Sequence, residues 1–161
     1  PARQGVTVPC MTLAHATCVA IGDIGILIRG PSGAGKSDLA LRLIDGGAVL
    51  VSDDYCNLST QGDSLEAGAP ETIAGKIELR GHGIVNVEYG TSAQIGLVVD
   101  LAHKDDIARV PETQTCTVEG IMIAHVIVDP DTPSAAAKIR LVVHTLNAGN
   151  SAERRATMDS S

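Results

Sequence analysis

Over most of the chain the apolar residues come in short β-branched runs separated by turn formers. Residues 16–21 (Ala-Thr-Cys-Val-Ala-Ile) and 24–29 (Ile-Gly-Ile-Leu-Ile-Arg) are two such runs, joined by Gly22 and Asp23. That spacing predicts a hairpin. Residues 30–35 are rich in glycine, and 36–45 then place Leu39, Leu41, Leu43 and Ile44 among polar residues ahead of Gly46 and Gly47. An amphipathic helix with a glycine stop reads this way. Strand, glycine-rich loop and helix therefore follow in order.

Further along, residues 48–51 form a short apolar run ahead of Ser52, Asp53 and Asp54, and residues 95–99 form another that ends at Asp100. Both read as buried strands whose C-terminal ends carry carboxylates. Between them lie a turn-rich segment, 59–70, and a glycine-spaced stretch, 77–86. Residues 117–128 and 139–146 are again β-branched and apolar, and the second reads equally well as a helix. The sum is a mixed α/β protein with more strand than helix. Its ordered domain is expected over residues 10–146, followed by a flexible tail over 147–161, where small and polar residues show no apolar period.

Composition sharpens this picture. A chain of 161 residues with 44% hydrophobic content suits one domain with its own core. With no Phe or Trp and only two Tyr, Val, Ile, Leu and Ala must fill that core, which favours strands over a helical bundle. The formal charge of −7 repels a phosphate backbone, so nucleic acid is not an expected partner. Cys10, Cys18, Cys56 and Cys116 show neither zinc spacing nor a disulfide framework, as reduced thiols in a cytoplasm would. There is no apolar run of the roughly 20 residues that a membrane span needs, and residues 1–9 lack the regions of a signal peptide. A soluble, cytoplasmic protein is the expectation.

The chemistry begins at Gly30, Pro31, Ser32, Gly33, Ala34, Gly35, Lys36 and Ser37, two glycines at P-loop spacing followed by lysine and a hydroxyl residue. Set between a strand and a helix, such a loop turns backbone N–H groups and the helix N-terminus toward the phosphates of a nucleotide. Lys36 would neutralise phosphate oxygens, and the Ser37 hydroxyl would coordinate Mg2+. Two sets of carboxylates could reach that nucleotide. One is the Asp53–Asp54 pair; the other is Asp100, which ends a run resembling an ordinary Walker B strand. Adjacent acids divide readily into one on magnesium and one that takes a proton from an attacking hydroxyl, but an Asp-Asp pair also serves as a solvated turn or cap. In the stretch 75–83, Glu78 and Arg80 precede Gly81 and Gly83, so an acid and a base could face a ligand that the backbone approaches closely; an exposed ion pair beside a bulge is the alternative. His15 has no local chemistry to assign it. The remaining histidines, 82, 103, 125 and 144, show no metal spacing. No Asn-Lys-x-Asp guanine motif is present, which disfavours a GTPase switch.

Taken together, these residues resemble the HPr kinase/phosphorylase family, a P-loop kinase fold of the phosphoenolpyruvate carboxykinase type. The similarity covers roughly residues 15–146. His15 matches the histidine ahead of the loop strand, residues 30–37 match the loop, Asp53 and Asp54 match the acid pair, and 77–86 match an acid-x-Arg-Gly-x-Gly segment. The resemblance implies an ATP- and Mg2+-dependent serine kinase acting on the phosphocarrier HPr. Asp54 would be the proton acceptor, His15, Lys36, Arg80 and Arg109 further catalytic residues, and Ser37, Asp53 and Glu78 the magnesium side. It also implies a homo-oligomer, as the family forms hexamers. Typical members carry an additional N-terminal domain without counterpart here, so either a short-form member or a truncated piece of a longer chain is expected. The family's basic loop, tied to the reverse reaction, is replaced by Asp129-Pro-Asp-Thr-Pro133, which implies a forward reaction stronger than phosphorolysis. A small-metabolite kinase and a nucleotide-sensing module without transfer are the rival readings.

Overall fold

A computed structural model describes residues 11–107 and 115–159 of the chain. The runs around Gly22 form strands β2 (Ala16–Ile21) and β3 (Ile24–Arg29), paired antiparallel from Ala16↔Arg29 to Ile21↔Ile24. Gly22 sits at φ 59°, the left-handed geometry that a tight hairpin asks of glycine. The glycine-rich loop leads into helix α1 (Lys36–Asp45), which buries Leu39, Ala40 and Leu43 and stops at Gly46. Strand β4 (Val49–Ser52) then returns antiparallel to β2.

On the other edge of β3 lies β9 (Ser92–Leu101), parallel to it, and β11 (Ile121–Val128) lies parallel to β9 in turn. A turn at Glu119 and Gly120, both at positive φ, joins β11 to β10 (Thr115–Val118). The predicted strand over 117–128 is thus two strands. Along β3, Ile26 and Ile28 face one side and Leu27 the other, and all three are fully buried, as a strand covered on both faces must be.

One face carries Leu39, Leu43, Ile139 and Val143 of the helices. The other carries Leu58, Leu65 and Ala67 from β5 (Cys56–Gln61) and β6 (Ser64–Gly68), a hairpin turning at Gly62. The turn-rich expectation for 59–70 is corrected here: a period of two was present, but Ser59, Ser64 and Gly68 stand at its outward positions and Thr60 at an inward one, which hides it. β1 (Thr12–Ala14) pairs with β5. Strands β7 (Lys76–Leu79) and β8 (Gly83–Asn86) form a separate two-stranded sheet.

Helix α2 (Ala135–Asp159) settles the ambiguity over 139–146 as helix, and its backbone continues helical to Asp159. Residues 147–159 lack an apolar period yet hold Ala, Glu, Arg and Met, all strong helix formers. Among the described residues no helix is long and apolar enough to cross a membrane. Arg140 of α2 donates to the carbonyls of Arg42 (2.7 Å) and Leu43 (3.4 Å), capping the C-terminal end of α1.

The C-terminal ends of β3, β9 and β11 coincide, with Arg29 opposite Asp100 and Asp100 opposite Ile127. Ligands of open parallel sheets bind outside this edge. Arg29 donates twice to Asp100, at 2.8 Å through both Nε and Nη2, and His125 Nε2 lies 2.7 Å from Asp100 Oδ2. Burial would push the Asp100 carboxyl up, but the hydrogen bonds from Arg29 and His125 outweigh it and hold it below its ordinary value. A carboxyl lowered by folding stabilises the fold fully above its unfolded value of about 4 and loses that contribution as pH falls through the folded value. Asp100→Asn should therefore lose about 1–2 kcal/mol at pH 7, solvent screening keeping the loss modest. In denaturant titrations the gap to the parent protein should close below about pH 4; a gap independent of pH would show that the ion pair is not its source.

Candidate functional site

Strand β3 delivers the chain into the loop of Gly30 to Ser37. The Ala34 N–H closes a turn on the Pro31 carbonyl at 3.0 Å, and Gly33 and Gly35 take φ 81° and 107°. A side chain at Gly35 would also press on Pro130, since a Cβ there lies 3.3 Å from the proline Cβ. No side chain caps the N-terminus of α1, so its first N–H groups face the loop concavity, where an anion can take them. Lys36 is buried, its Nζ donating to the carbonyls of Gly30 (2.7 Å) and Pro31 (3.1 Å). The ammonium thus lies folded onto its own loop.

Across from the loop, Asp53 follows β4 and is only 6% exposed. Its Oδ1 accepts from Ser37 Oγ at 2.7 Å and from Thr17 Oγ1 at 3.0 Å, while Oδ2 accepts the Glu78 N–H at 3.1 Å. Three elements, α1, β2 and β7, thus converge on one carboxylate. Asp54 adopts φ 73°, which is uncommon without glycine. Its N–H donates to Thr17 Oγ1 at 3.1 Å, and its carboxylate turns outward, 55% exposed, where Oδ1 meets His15 Nε2 at 2.9 Å. The His15 ring in turn lies 5.1 Å from that of Tyr55.

Sequence reasoning missed Thr17. Its hydroxyl accepts from the Asp54 N–H and donates to Asp53, so one buried side chain sets the relation between the two acids. The signal was available: a polar residue between Ala16 and Cys18 in a buried strand must find a hydrogen-bond partner.

The structure brings together His15, Lys36, Ser37, Asp53 and Asp54. Glu78 reaches the group through its backbone, and its side chain is exposed. Arg80 is exposed in the β7–β8 turn, which the His82 N–H closes onto the Leu79 carbonyl. Arg109 lies outside the described residues. Asp100 is not part of this group: it follows Val98 on the sheet face opposite α1 and is engaged by Arg29 and His125.

The hydroxyl of Ser37 and the carboxylate of Asp53 are hard oxygen donors placed side by side, the donor set that magnesium takes when phosphates and water complete its shell. Among the described residues no cluster of three or more His, Cys, Asp or Glu could hold a metal by itself.

The acidic segment 129–133 lies against the phosphate loop through Pro130. Asp129 Oδ1 accepts the Asp131 N–H (2.8 Å) and Oδ2 the Lys104 N–H (2.9 Å), and these bonds, the Asp131 one foremost, hold its carboxyl below the ordinary value. Arg42 of α1 donates to the carbonyls of Pro130 and Thr132 and so fastens the segment to the helix.

Comparison with known proteins agrees with this geometry. The chain matches the HPr Serine kinase C-terminal domain over residues 8–154. It is similar to the HPr kinase/phosphorylase of Exiguobacterium sp., with 41% identity over 103 residues, 59% of this chain and 33% of that protein. Similarity to the HPr kinase/phosphorylase of Geobacillus kaustophilus is 41% over 98 residues, 56% of this chain and 32% of that one. The chain thus spans about a third of the length of these curated relatives. The solved Hpr(Ser) kinase/phosphatase from Coxiella burnetii superposes with a TM-score of 0.76 at 25% identity, covering 87% of this chain and 99% of that one. Matched over nearly all its length and sharing this mixed α/β P-loop fold, the chain belongs to the HPr serine kinase C-terminal domain family.

Proposed function

We propose that this chain transfers the γ-phosphoryl group of ATP to a serine hydroxyl of the phosphocarrier protein HPr. The observation that carries this reading is the division of the acid pair. Asp53 is turned inward onto Ser37 beside the phosphate loop, and Asp54 is turned outward onto His15, where a protein substrate can arrive. The loop amides and Lys36 would bind the triphosphate, the ammonium exchanging its two carbonyl partners for phosphate oxygens. Ser37 and Asp53 would hold Mg2+, which supplies neutralisation of phosphate charge when bound.

The serine oxygen attacks the γ-phosphorus as its proton passes to Asp54, and the electron pair of the breaking P–O bond leaves with ADP. His15 orients the Asp54 carboxylate, and Arg80 would meet the transferring group or the partner. Arg109 and the Glu78 side chain complete the set in this reading, and the protein works as a cytoplasmic homo-oligomer.

Labelled ATP with HPr tests the reaction class directly. Label on serine supports the reading; label on a metabolite alone, or binding without transfer, favours one of the rivals. Asp54→Asn should keep ATP affinity while losing about 10²- to 10⁴-fold in turnover, the usual contribution of a general base. Lys36→Ala should lose both affinity and transfer. Near-normal turnover in a folded Asp54→Asn protein would overturn the assignment of the base.

Direction follows from the acidic segment. Reversal needs inorganic phosphate beside phosphoserine, two anions that call for cations. Next to the phosphate loop stands ionised Asp129 instead, and Arg140 is committed to the carbonyls at the end of α1. Phosphorolysis of phosphoseryl-HPr at millimolar phosphate should therefore run well below the forward rate. Equal rates would show that Asp129 and Asp131 do not act on the phosphate site.

A further inference from the structure

The register of β1 against β5 places two aromatic rings at the rim of the acid pair. Thr12 pairs with Leu58, Leu13 with Asn57 and Ala14 with Cys56. One step further along the same antiparallel ladder His15 meets Tyr55, and their ring centroids stand 5.1 Å apart at an interplanar angle of 37°. Side chains directly opposite on neighbouring strands interact, and this spacing lies within the range that aromatic pairs prefer.

The backbone of Tyr55 is fixed independently of that contact. Its N–H donates to the Asp53 carbonyl at 2.9 Å, which closes a three-residue turn centred on Asp54 at φ 73°. The Ser52 hydroxyl donates to the Tyr55 carbonyl. The turn that sends Asp54 outward thus also sets where the Tyr55 ring starts. His15 is held less firmly. Among the described residues its imidazole has a single hydrogen bond, between Nε2 and Asp54 Oδ1, and its side chain is 35% exposed. A partly exposed pair of this kind defines its own geometry weakly. The imidazole can rotate and carry the carboxylate with it unless something fixes the ring plane, and the Tyr55 ring leaning on it supplies that restraint.

We infer that Tyr55 is a positioning residue for phosphoryl transfer: its ring holds the His15 imidazole in the plane that directs Nε2 at Asp54. The inference rests on the assignment of Asp54 as proton acceptor proposed above, and it adds a residue that acts on that acid through His15. Tyr55 is 43% exposed, so replacing its ring removes the restraint without opening the core.

Steady-state transfer from labelled ATP to HPr, with kcat separated from the KM for HPr, tests the role in the parent protein, Tyr55→Phe, Tyr55→Leu, His15→Ala and the His15→Ala/Tyr55→Leu double variant. Tyr55→Leu should lose about tenfold in kcat, the upper range of what an aromatic pair contributes to its geometry, with the KM for HPr little changed. Tyr55→Phe should match the parent, because the ring makes the contact and the hydroxyl does not. His15→Ala should lose at least as much as Tyr55→Leu, and on that background Tyr55→Leu should cost nothing further, since no imidazole is left to hold. In the unliganded proteins the ring-proton resonances of His15 should move in Tyr55→Leu and stay in place in Tyr55→Phe, a ring-current signature that does not depend on turnover. Full kcat in Tyr55→Leu, or the same loss from it on the His15→Ala background, overturns the positioning role and leaves the kinase reading intact. A raised KM for HPr at unchanged kcat overturns it too and makes Tyr55 a contact of the partner. If the parent transfers no label to HPr, the kinase reading itself falls and the role falls with it.

Discussion

A carboxylate taken out of water has to be fully hydrogen-bonded, and at Asp53 that requirement organises the whole site. Its three donors come from β2, from the first turn of α1 and from the backbone of β7, segments that also share one core through Val19, Leu39, Leu43 and Ile77. Satisfying them fixes where α1 begins relative to the sheet and brings the separate β7–β8 hairpin alongside. Removing any one donor would leave a buried charge underserved, which costs far more than a single hydrogen bond contributes when made. The same contacts place an oxygen pair, Ser37 and Asp53, beside the phosphate loop. In the proposed mechanism, structural demand and chemical use coincide in this one carboxylate.

The sheet provides the platform for that arrangement. Its strands β3, β9 and β11 run parallel, and β3 together with Leu97, Val98 and Val99 of β9 is buried on both faces by aliphatic side chains, so the C-terminal ends form a stable edge. The charges that appear at that edge are sorted by the alternation of the strands. Arg29, Asp100 and His125 fall on the face away from α1 and neutralise one another there. The phosphate loop is therefore left with Lys36 as its own cation, unopposed by Asp100. An aspartate at the end of a Walker-B-like run is in this fold a structural ion pair, and the acid beside the loop comes from β4.

Much of this was legible in the sequence, and the limits have a physical pattern. The β2–β3 hairpin and α1 were readable to the residue because their signals are local: a turn at Gly22, helical spacing of Leu39 and Leu43, a stop at Gly46. The β5–β6 hairpin was not, because small hydroxyl residues masked its period. Nor was the helical end of α2, where propensity acts without an apolar stripe. The partners of the candidate residues were the least readable. Thr17 meets Asp53 across 36 residues, Arg29 meets Asp100 across 71, and Arg140 reaches Arg42 across 98. Composition names the groups that must be satisfied, but the fold alone decides which neighbour satisfies them.

The conformation of Asp54 shows how the two acids come to differ although they are adjacent. In a continuing strand successive side chains point to opposite faces, and a second acid after buried Asp53 would only alternate with it. The left-handed turn at Asp54 breaks the strand instead, at a cost of about 1–2 kcal/mol for a residue with a Cβ. The Thr17 hydroxyl offsets that cost by accepting the Asp54 N–H, which the turn would otherwise leave without its strand partner. Because the same hydroxyl donates to Asp53, the strained turn and the buried carboxylate are held by one side chain. The outward acid is therefore fixed relative to the inward one, and through Ser37 relative to the phosphate loop, without a direct bond between them. Positioning of this kind, by a shared buried donor and an over-determined backbone, is what a proton acceptor needs beside a phosphate site whose charge would otherwise drive it away.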